Sequence, residues 1–404
     1  MLSVESAIKK LRAIVPQIKD YETIPLRSGV GRTLKRSITA PGHLPPFDNS
    51  AMDGYALCGP KVIKPGTRFT VVGDSRAGHP CGEQLDEGQA CRIFTGAVVP
   101  IGTTTVVAQE DVLNGESDVM VNRECVGAEN IRRRGMDAKK GMTIASNRDV
   151  LSPYSVGWCS AFGITEIEVV RRIKVAVFST GDELRDPGED LQPGQIYESN
   201  RATLVALLQS KSVELVDLGQ LSDDPDEINK SLQSTAGQVD LIITSGGVSV
   251  GESDYVRPVI EEIGKLEFFS LALKPGKPLA VGTIDNALFF GLPGNPVSTI
   301  VTYLLFVAPA IDSMSGVPWH RPTHFQAKLT TSISHKSGRR EYQRGVFVGD
   351  DRQLRVAATG DQSSNRLASF KDCNCLIVVP AHRDNLEAGE MVEILLLPNQ
   401  RSIY

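Results

Sequence analysis

From residue 173 to residue 311 the chain alternates short, wholly apolar runs with stretches of helical period, and few architectures accept that pattern. Residues 173–179 (IKVAVFS) read as a strand, with Gly181 marking the turn after it. Residues 201–210 have helical spacing, with Asn200 placed as the N-cap. Residues 213–218 form the next strand, and Asp224-Pro225 opens a helix with cap and first-turn proline in order. Residues 241–244 are a fully apolar strand ending in Ser-Gly-Gly. A helix around 255–263 follows, then strands near 266–271, 279–282 and 287–290, and a last helix from Pro296 capped by Asn295. Strands apolar on both faces must be covered on both faces. The segment is therefore read as an α/β domain with a mostly parallel sheet.

The flanks differ. After Pro318 short alternating runs at 324–330, 342–348, 354–357, 376–379 and 391–396 predict a small all-β barrel or sandwich. Residues 40–141 are short-stranded and rich in glycine and proline, with their best strands at 68–73, 90–95 and 104–109. Residues 3–15 and 151–162 have amphipathic helical spacing. Hydrophobic residues at 41% supply a sizeable core and exclude intrinsic disorder. A net charge of −5 argues against nucleic acid as a partner. The strongest apolar run, 303–311, contains Pro309 and is too short to span a bilayer, so no membrane role is expected. The first residues carry Glu5 inside their apolar pattern and lack the order of a secretory signal. Seven irregularly spaced cysteines do not form a disulfide framework, which fits a cytoplasmic chain. Cys373 and Cys375 have no second pair to complete a zinc site.

In parallel α/β sheets ligands bind at the carboxyl ends of the strands. Five loops expected at that edge have a consistent chemistry. They are Ser179–Leu184 (STGDEL), Ser222–Pro225 (SDDP), the run from Ser245-Gly246-Gly247 through Ser249 to Asp254, Lys274–Pro278 (KPGKP), and 292–298 with Pro293, Pro296 and Ser298. Small residues let backbone approach phosphate oxygens, carboxylates suit Mg²⁺, and lysines neutralise anions. Each feature has a plainer reading too. Asp223 and Asp224 suit a helix cap, Asp254 suits the N-cap of the next helix, and Arg132-Arg133-Arg134 suits a solvated charge run. The convergence of five such loops favours a phosphorylated ligand. No histidine falls in them, so a Ser-His-Asp or Cys-His nucleophile is not expected.

The blocks PPFDNSAMDGYA (45–56), RIFTGAVVP (92–100), NIRRRGMD (130–137), FSTGDEL (178–184), SGGVSVGESDY (245–255), LKPGKP (273–278), GLPGNPVS (291–298) and EYQRG (341–345) stand in one order along the chain. In these the sequence resembles the molybdopterin molybdenumtransferases, the MoeA and gephyrin E-domain family, over essentially its whole length. The resemblance implies an elongated subunit of four parts, with a molybdopterin-binding α/β domain and further β-rich domains. Their expected spans are 21–39 with 142–170, 40–141, 1–20 with 171–318, and 319–404. It implies a homodimer whose cleft sets Asp53, Thr95 and Asp137 of one subunit opposite Glu183, Asp223 and Asp254 of the other.

The implied reaction inserts molybdate into adenylylated molybdopterin, with Mg²⁺-dependent release of AMP. By resemblance the oxyanion ligands are Ser249, Lys274, Lys277, Ser298, Arg344 and Ser364, and the Mg²⁺ ligands are Asp223 and Asp254. Glu183 and Asp53 join Asp223, Asp254, Lys274 and Lys277 as candidate catalytic residues. Implied partners are a molybdopterin adenylyltransferase and the apo-molybdoenzymes. Two positions depart from the family. Ser270 stands where many relatives have a basic residue, and Ser363 where a glycine is common. A non-glycine residue at 363 is strained if the backbone there needs positive φ. Adenylylation of molybdopterin is the rival enzymatic reading, and a receptor-binding scaffold the non-enzymatic one.

Overall fold

The computed structural model describes residues 1–209, 212–248, 255–319, 322–349 and 353–398. The chain forms two compact units, one of Met1–Glu22, Gly31–Thr33 and Val169–Tyr404, the other of Thr23–Val30 and Leu34–Glu168.

In the first unit, helix α1 (Val4–Ile14) precedes a sheet built from β1 (Ile173–Thr180), β2 (Val213–Leu221), β3 (Leu241–Ser245), β4 (Lys265–Ser270), β6 (Pro278–Ile284) and β7 (Ala287–Leu292), with β5 (Leu273–Lys274) diverted elsewhere. The spatial order is β2-β1-β3-β7-β6-β4. The first four strands are parallel, and β6 and β4 extend them antiparallel. Side chains alternate between two cores. Ile173, Val175, Val177, Leu241, Ile243, Leu288 and Phe290 face one side, where α1 and α2 (Asn200–Gln209) pack. Ala176, Phe178, Ile242 and Phe289 face the other, against α3 (Pro225–Ala236) and α4 (Val256–Ile263). This is the doubly covered α/β sheet that the apolar runs predict.

One reading of the apolar run at 303–311 needs correction. The run is not an element of its own but part of a longer one. Pro296–Thr302 (α5), a π-helical turn at Tyr303–Val307 and Ala308–Met314 (α6) run on as one rod. Proline lacks the N–H that would bond four residues back, and the wider π turn just before it accommodates the loss. The rod of 19 residues is long and apolar enough to cross a membrane, but 83% of the apolar stretch is buried inside the first unit. Its apolarity serves the core.

The C-terminal strands β8 (His324–Leu329), β9 (Arg340–Gly349), β10 (Leu354–Ala358), β11 (Cys375–Val379) and β12 (Met391–Leu396) follow the order β9-β10-β8-β12-β11. β11 pairs back onto β9, so the five close into a barrel. β5 adds to this barrel, its Lys274 in register with Glu341 of β9.

The second unit centres on a six-stranded sheet whose strands include Gly54–Leu57, Arg68–Ser75, Gln89–Ile93 and Thr105–Ala108. Its helix Pro153–Ser160 begins at a Ser152–Ser155 capping box. Three of the sequence blocks meet here. Asn49–Ser50 pairs with Ile131–Arg132, Ser50 N–H donates to the Ala97 carbonyl, and the Asp48 carboxylate accepts from Arg133 and from Arg134 N–H.

Candidate functional site

The first unit carries a cavity of about 750 Å³ at the carboxyl edge of its parallel strands. Three glycine-rich turns shape it. β1 ends in Thr180-Gly181, β3 in Ser245-Gly246-Gly247, and β7 in Pro293-Gly294. Gly246 has φ +96°, and a Cβ there would stand 2.5 Å from the Thr180 carbonyl oxygen. At Gly247, with φ +66°, a Cβ would meet Val256 at 2.6 Å. Only glycine lets these turns approach β1 so closely. Beneath them Thr180 Oγ1 is buried with no hydrogen-bond partner.

Asn200 ties two of the turns together. Its Nδ2 donates to Ser245 Oγ at 2.9 Å and to the Gly294 carbonyl at 2.7 Å. It is not the N-cap expected from the sequence. Asn200 is already helical, and the buried Glu198 carboxylate takes the first-turn N–H groups of Arg201 (2.7 Å) and Ala202 (3.2 Å) instead. A carboxylate at that end also suits the helix dipole. The second loop behaves as read, with Asp224 accepting from Asp226 N–H as the cap of α3.

The cavity brings together seven of the expected residues, Glu183, Asp223, Ser245, Gly246, Gly247, Pro293 and Pro296. Tyr197, Glu198, Asn200, Asn365 and Leu367 line it as well, without having been singled out as ligands. Asn365 and Leu367 come from the far C-terminal segment, and no local pattern in the sequence could have paired them with β1. Ser249 and Asp254 lie outside the described residues.

In the first unit five expected residues, Lys274, Lys277, Ser298, Arg344 and Ser364, are not cavity walls. Lys277 is exposed and immediately precedes the cavity residue Pro278. Lys274 pairs with Glu341 at 3.0 Å. Ser298 is buried, 3% exposed, within α5. Its helix start is not a set of free donors, because Val297 N–H already donates to the Ser364 carbonyl. Arg344 is wholly buried, and burial lowers its pKa. It donates to Ser369 Oγ at 3.0 Å and to the Ser363 carbonyl at 3.1 Å, organising the 359–369 loop that delivers Asn365. Ser363 is not among the positive-φ residues, so its side chain costs nothing there. Its hydroxyl and N–H both bond Asp361.

In the second unit, Asp53 and Thr95 do meet. Thr95 N–H donates to Asp53 Oδ1 at 2.7 Å and Thr95 Oγ1 at 2.8 Å, and these bonds, the N–H first, hold the carboxyl below its usual range. Asp137 is exposed, its N–H bonded to the Leu44 carbonyl.

Asp223 at the cavity wall is a hard oxygen donor of the kind Mg²⁺ takes, usually one or two carboxylates with water and phosphate completing the shell. Among the described residues no group of three or more His, Cys, Asp or Glu is placed to hold a metal unaided. Cys373 and Cys375 are buried thiols, pushed up by desolvation to about 11 and about 12.

A parallel sheet with glycine-rich turns and carboxylates around one edge cavity, joined to a closed β-barrel, defines a multidomain α/β protein with a ligand-sized cavity at the sheet edge. Comparison with known proteins makes the class specific. Residues 2–163 match the MoeA N-terminal region (domain I and II), 176–313 a probable molybdopterin binding domain, and 326–397 the MoeA C-terminal region (domain IV). Molybdopterin molybdenumtransferase of Haemophilus influenzae is 40% identical over 98% of both chains. Molybdopterin molybdenumtransferase 2 of Mycobacterium tuberculosis is 34% identical over 92% of this chain and 94% of that one. The molybdopterin biosynthesis moeA protein of Pyrococcus horikoshii superposes with TM-score 0.85 at 28% identity, over 98% of this chain and 100% of that one. The chain belongs to the molybdopterin molybdenumtransferase family and is a transferase of molybdenum cofactor biosynthesis.

Proposed function

We propose that this transferase inserts molybdate into adenylylated molybdopterin and releases AMP. The observation that carries the reading is the 750 Å³ cavity, large enough for a pterin-nucleotide and walled by glycine turns and by the carboxylates of Glu183, Glu198 and Asp223. The Ser245-Gly246-Gly247 and Pro293-Gly294 turns bring backbone up to a phosphate, and Asn200 holds the two turns at a constant separation. Lys277, beside the rim residue Pro278, and Lys274 supply positive charge for the dianionic molybdate. Asp223 would hold Mg²⁺ together with Asp254. When bound, that ion stabilises negative charge on the phosphate being released.

The experiment is reconstitution of an apo-molybdoenzyme with the purified protein, adenylylated molybdopterin, molybdate and Mg²⁺, following AMP by chromatography. Stoichiometric AMP and restored activity are expected. Formation of the adenylylated product from molybdopterin and ATP would instead make the protein an adenylyltransferase. A homodimer in the cytoplasm, handing cofactor to apo-molybdoenzymes and receiving substrate from an adenylyltransferase, completes the proposal. Seven free cysteines suit that reducing setting. Sedimentation of a 43.7 kDa monomer with full turnover would remove the dimer from it.

A further inference from the structure

Lys274 is held by an arrangement that its motif does not reveal. It lies on the two-residue strand β5, in parallel register with Glu341 of the barrel strand β9. Its Nζ stands 3.0 Å from Glu341 Oε1, with 45% of the lysine side chain and 2% of the glutamate side chain exposed. A carboxylate so deeply buried is costly unless its charge is matched. One half-exposed ammonium does that at one oxygen only, and Oε2 has no hydrogen-bond partner.

His335 stands at the second oxygen. Its Nε2 is 3.6 Å from Glu341 Oε2, and its side chain is 1% exposed. Its two ring nitrogens also face carbonyl oxygens, Nδ1 that of Arg383 at 2.9 Å and Nε2 that of Arg339 at 3.0 Å. Each ring nitrogen thus stands within hydrogen-bond distance of a backbone carbonyl, which holds the imidazole plane against Glu341. His335 N–H bonds Asn385 Oδ1 at 3.1 Å, fixing the residue further.

The three groups therefore run Lys274, Glu341, His335, with only Lys274 reaching solvent. With His335 behind the carboxylate, the ion pair removes the freedom of a four-carbon side chain. A cation held in one place is what preorganised oxyanion binding needs.

We propose that Glu341 and His335 are positioning residues for Lys274. Glu341 fixes the ammonium, and His335 fixes the Glu341 carboxylate, so that Lys274 meets the molybdate oxyanion in one orientation. The inference rests on the reading of Lys274 as an oxyanion ligand.

The test measures KM for molybdate, KM for adenylylated molybdopterin and kcat in the full-length protein. The variants are Lys274→Ala, Glu341→Gln, His335→Gln and the doubles that add each of the last two to Lys274→Ala. Lys274→Ala is expected to raise the molybdate KM roughly tenfold or more, the loss of one charge-assisted contact. Glu341→Gln and His335→Gln should each raise it about three- to tenfold, leave the pterin KM unchanged, and add nothing once Lys274 is alanine. If Glu341→Gln does not fold, Glu341→Asp keeps the charge but withdraws it by one methylene, and is expected to show the same selective rise. Two results overturn the proposal while leaving the lysine's role intact. One is an unchanged molybdate KM in the Glu341 and His335 variants beside a raised one in Lys274→Ala. The other is effects that multiply with Lys274→Ala or move both KM values together. An unchanged KM in Lys274→Ala itself removes the lysine's role, and the proposal with it.

Discussion

Replacing Gly246 by alanine tests whether the turn after β3 is as constrained as its geometry requires. The new methyl would stand 2.5 Å from the Thr180 carbonyl oxygen and 3.1 Å from Thr180 Oγ1. That carbonyl belongs to a central strand and cannot swing away, since β1 pairs with β2 at Thr180–Leu221 and with β3 at Ser179–Ser245. Relief requires the end of β3 to part from β1. Holding an L-residue at φ +96° costs about 1–2 kcal/mol, and overpacking adds about 1–3 kcal/mol. A loss of about 2–5 kcal/mol follows, together with weaker ligand binding because the turn walls the cavity. Urea unfolding followed by far-ultraviolet circular dichroism and by tryptophan emission measures it, Trp319 being packed against the first unit's core. Gly237→Ala is the control. That glycine follows α3 at φ −73° with nothing within 4 Å of its would-be Cβ, so the change should be neutral or stabilise by about 0.5 kcal/mol. If Gly246→Ala unfolds at the same urea concentration as wild type and Gly237→Ala, the steric account of this turn is refuted.

Asn200→Ala removes the donors to Ser245 and Gly294 and is expected to cost about 1–2 kcal/mol and to weaken adenylylated molybdopterin binding several-fold, read by calorimetric titration. An unchanged affinity would show that the two turns hold their spacing without it. Asp240 accepts a fork from Arg171 (2.7 and 2.8 Å) and Lys174 N–H (2.8 Å). Burial alone would raise its pKa, but these partners outweigh it and leave the carboxyl below its ordinary 3.8. A depressed carboxyl stabilises the fold above its unfolded pKa and loses that contribution as pH falls through the folded one. The stability gap between wild type and Asp240→Asn, about 1–3 kcal/mol, should thus be full at neutral pH and close below about pH 4. A gap independent of pH would contradict this. In the second unit, Gly157 sits inside the helix Pro153–Ser160 with open space around it, so Gly157→Ala should raise stability by about 1 kcal/mol, with Trp158 emission as the probe. A loss of stability there would mean the helix is packed more tightly than its surroundings indicate.

The sequence by itself determined the layers and the edge at which chemistry sits. Ile173, Val175 and Val177 alternate with Ala176 and Phe178, and that period of two divides them between the two cores. Asp224-Pro225 placed the start of α3, and Ser245-Gly246-Gly247 the turn after β3, because caps and turns depend on residues adjacent in the chain. What it left open depends on strand order and register, which join distant segments. Asn200 reads locally as a cap, yet Glu198 outcompetes it while Asn200 reaches across to two other loops. The run 303–311 reads as too short to span a bilayer, yet in the fold it belongs to a longer, mostly buried rod, Pro296–Met314. Lys274 and Lys277 read as one cationic loop, but pairing of β5 with the barrel draws Lys274 onto Glu341, which His335 backs. Asn365 enters the cavity only because Arg344, buried on β9, gathers the loop that carries it. Local propensity acts over a few residues, whereas a site assembled from residues 180 to 367 exists only once the sheet and barrel have set their register.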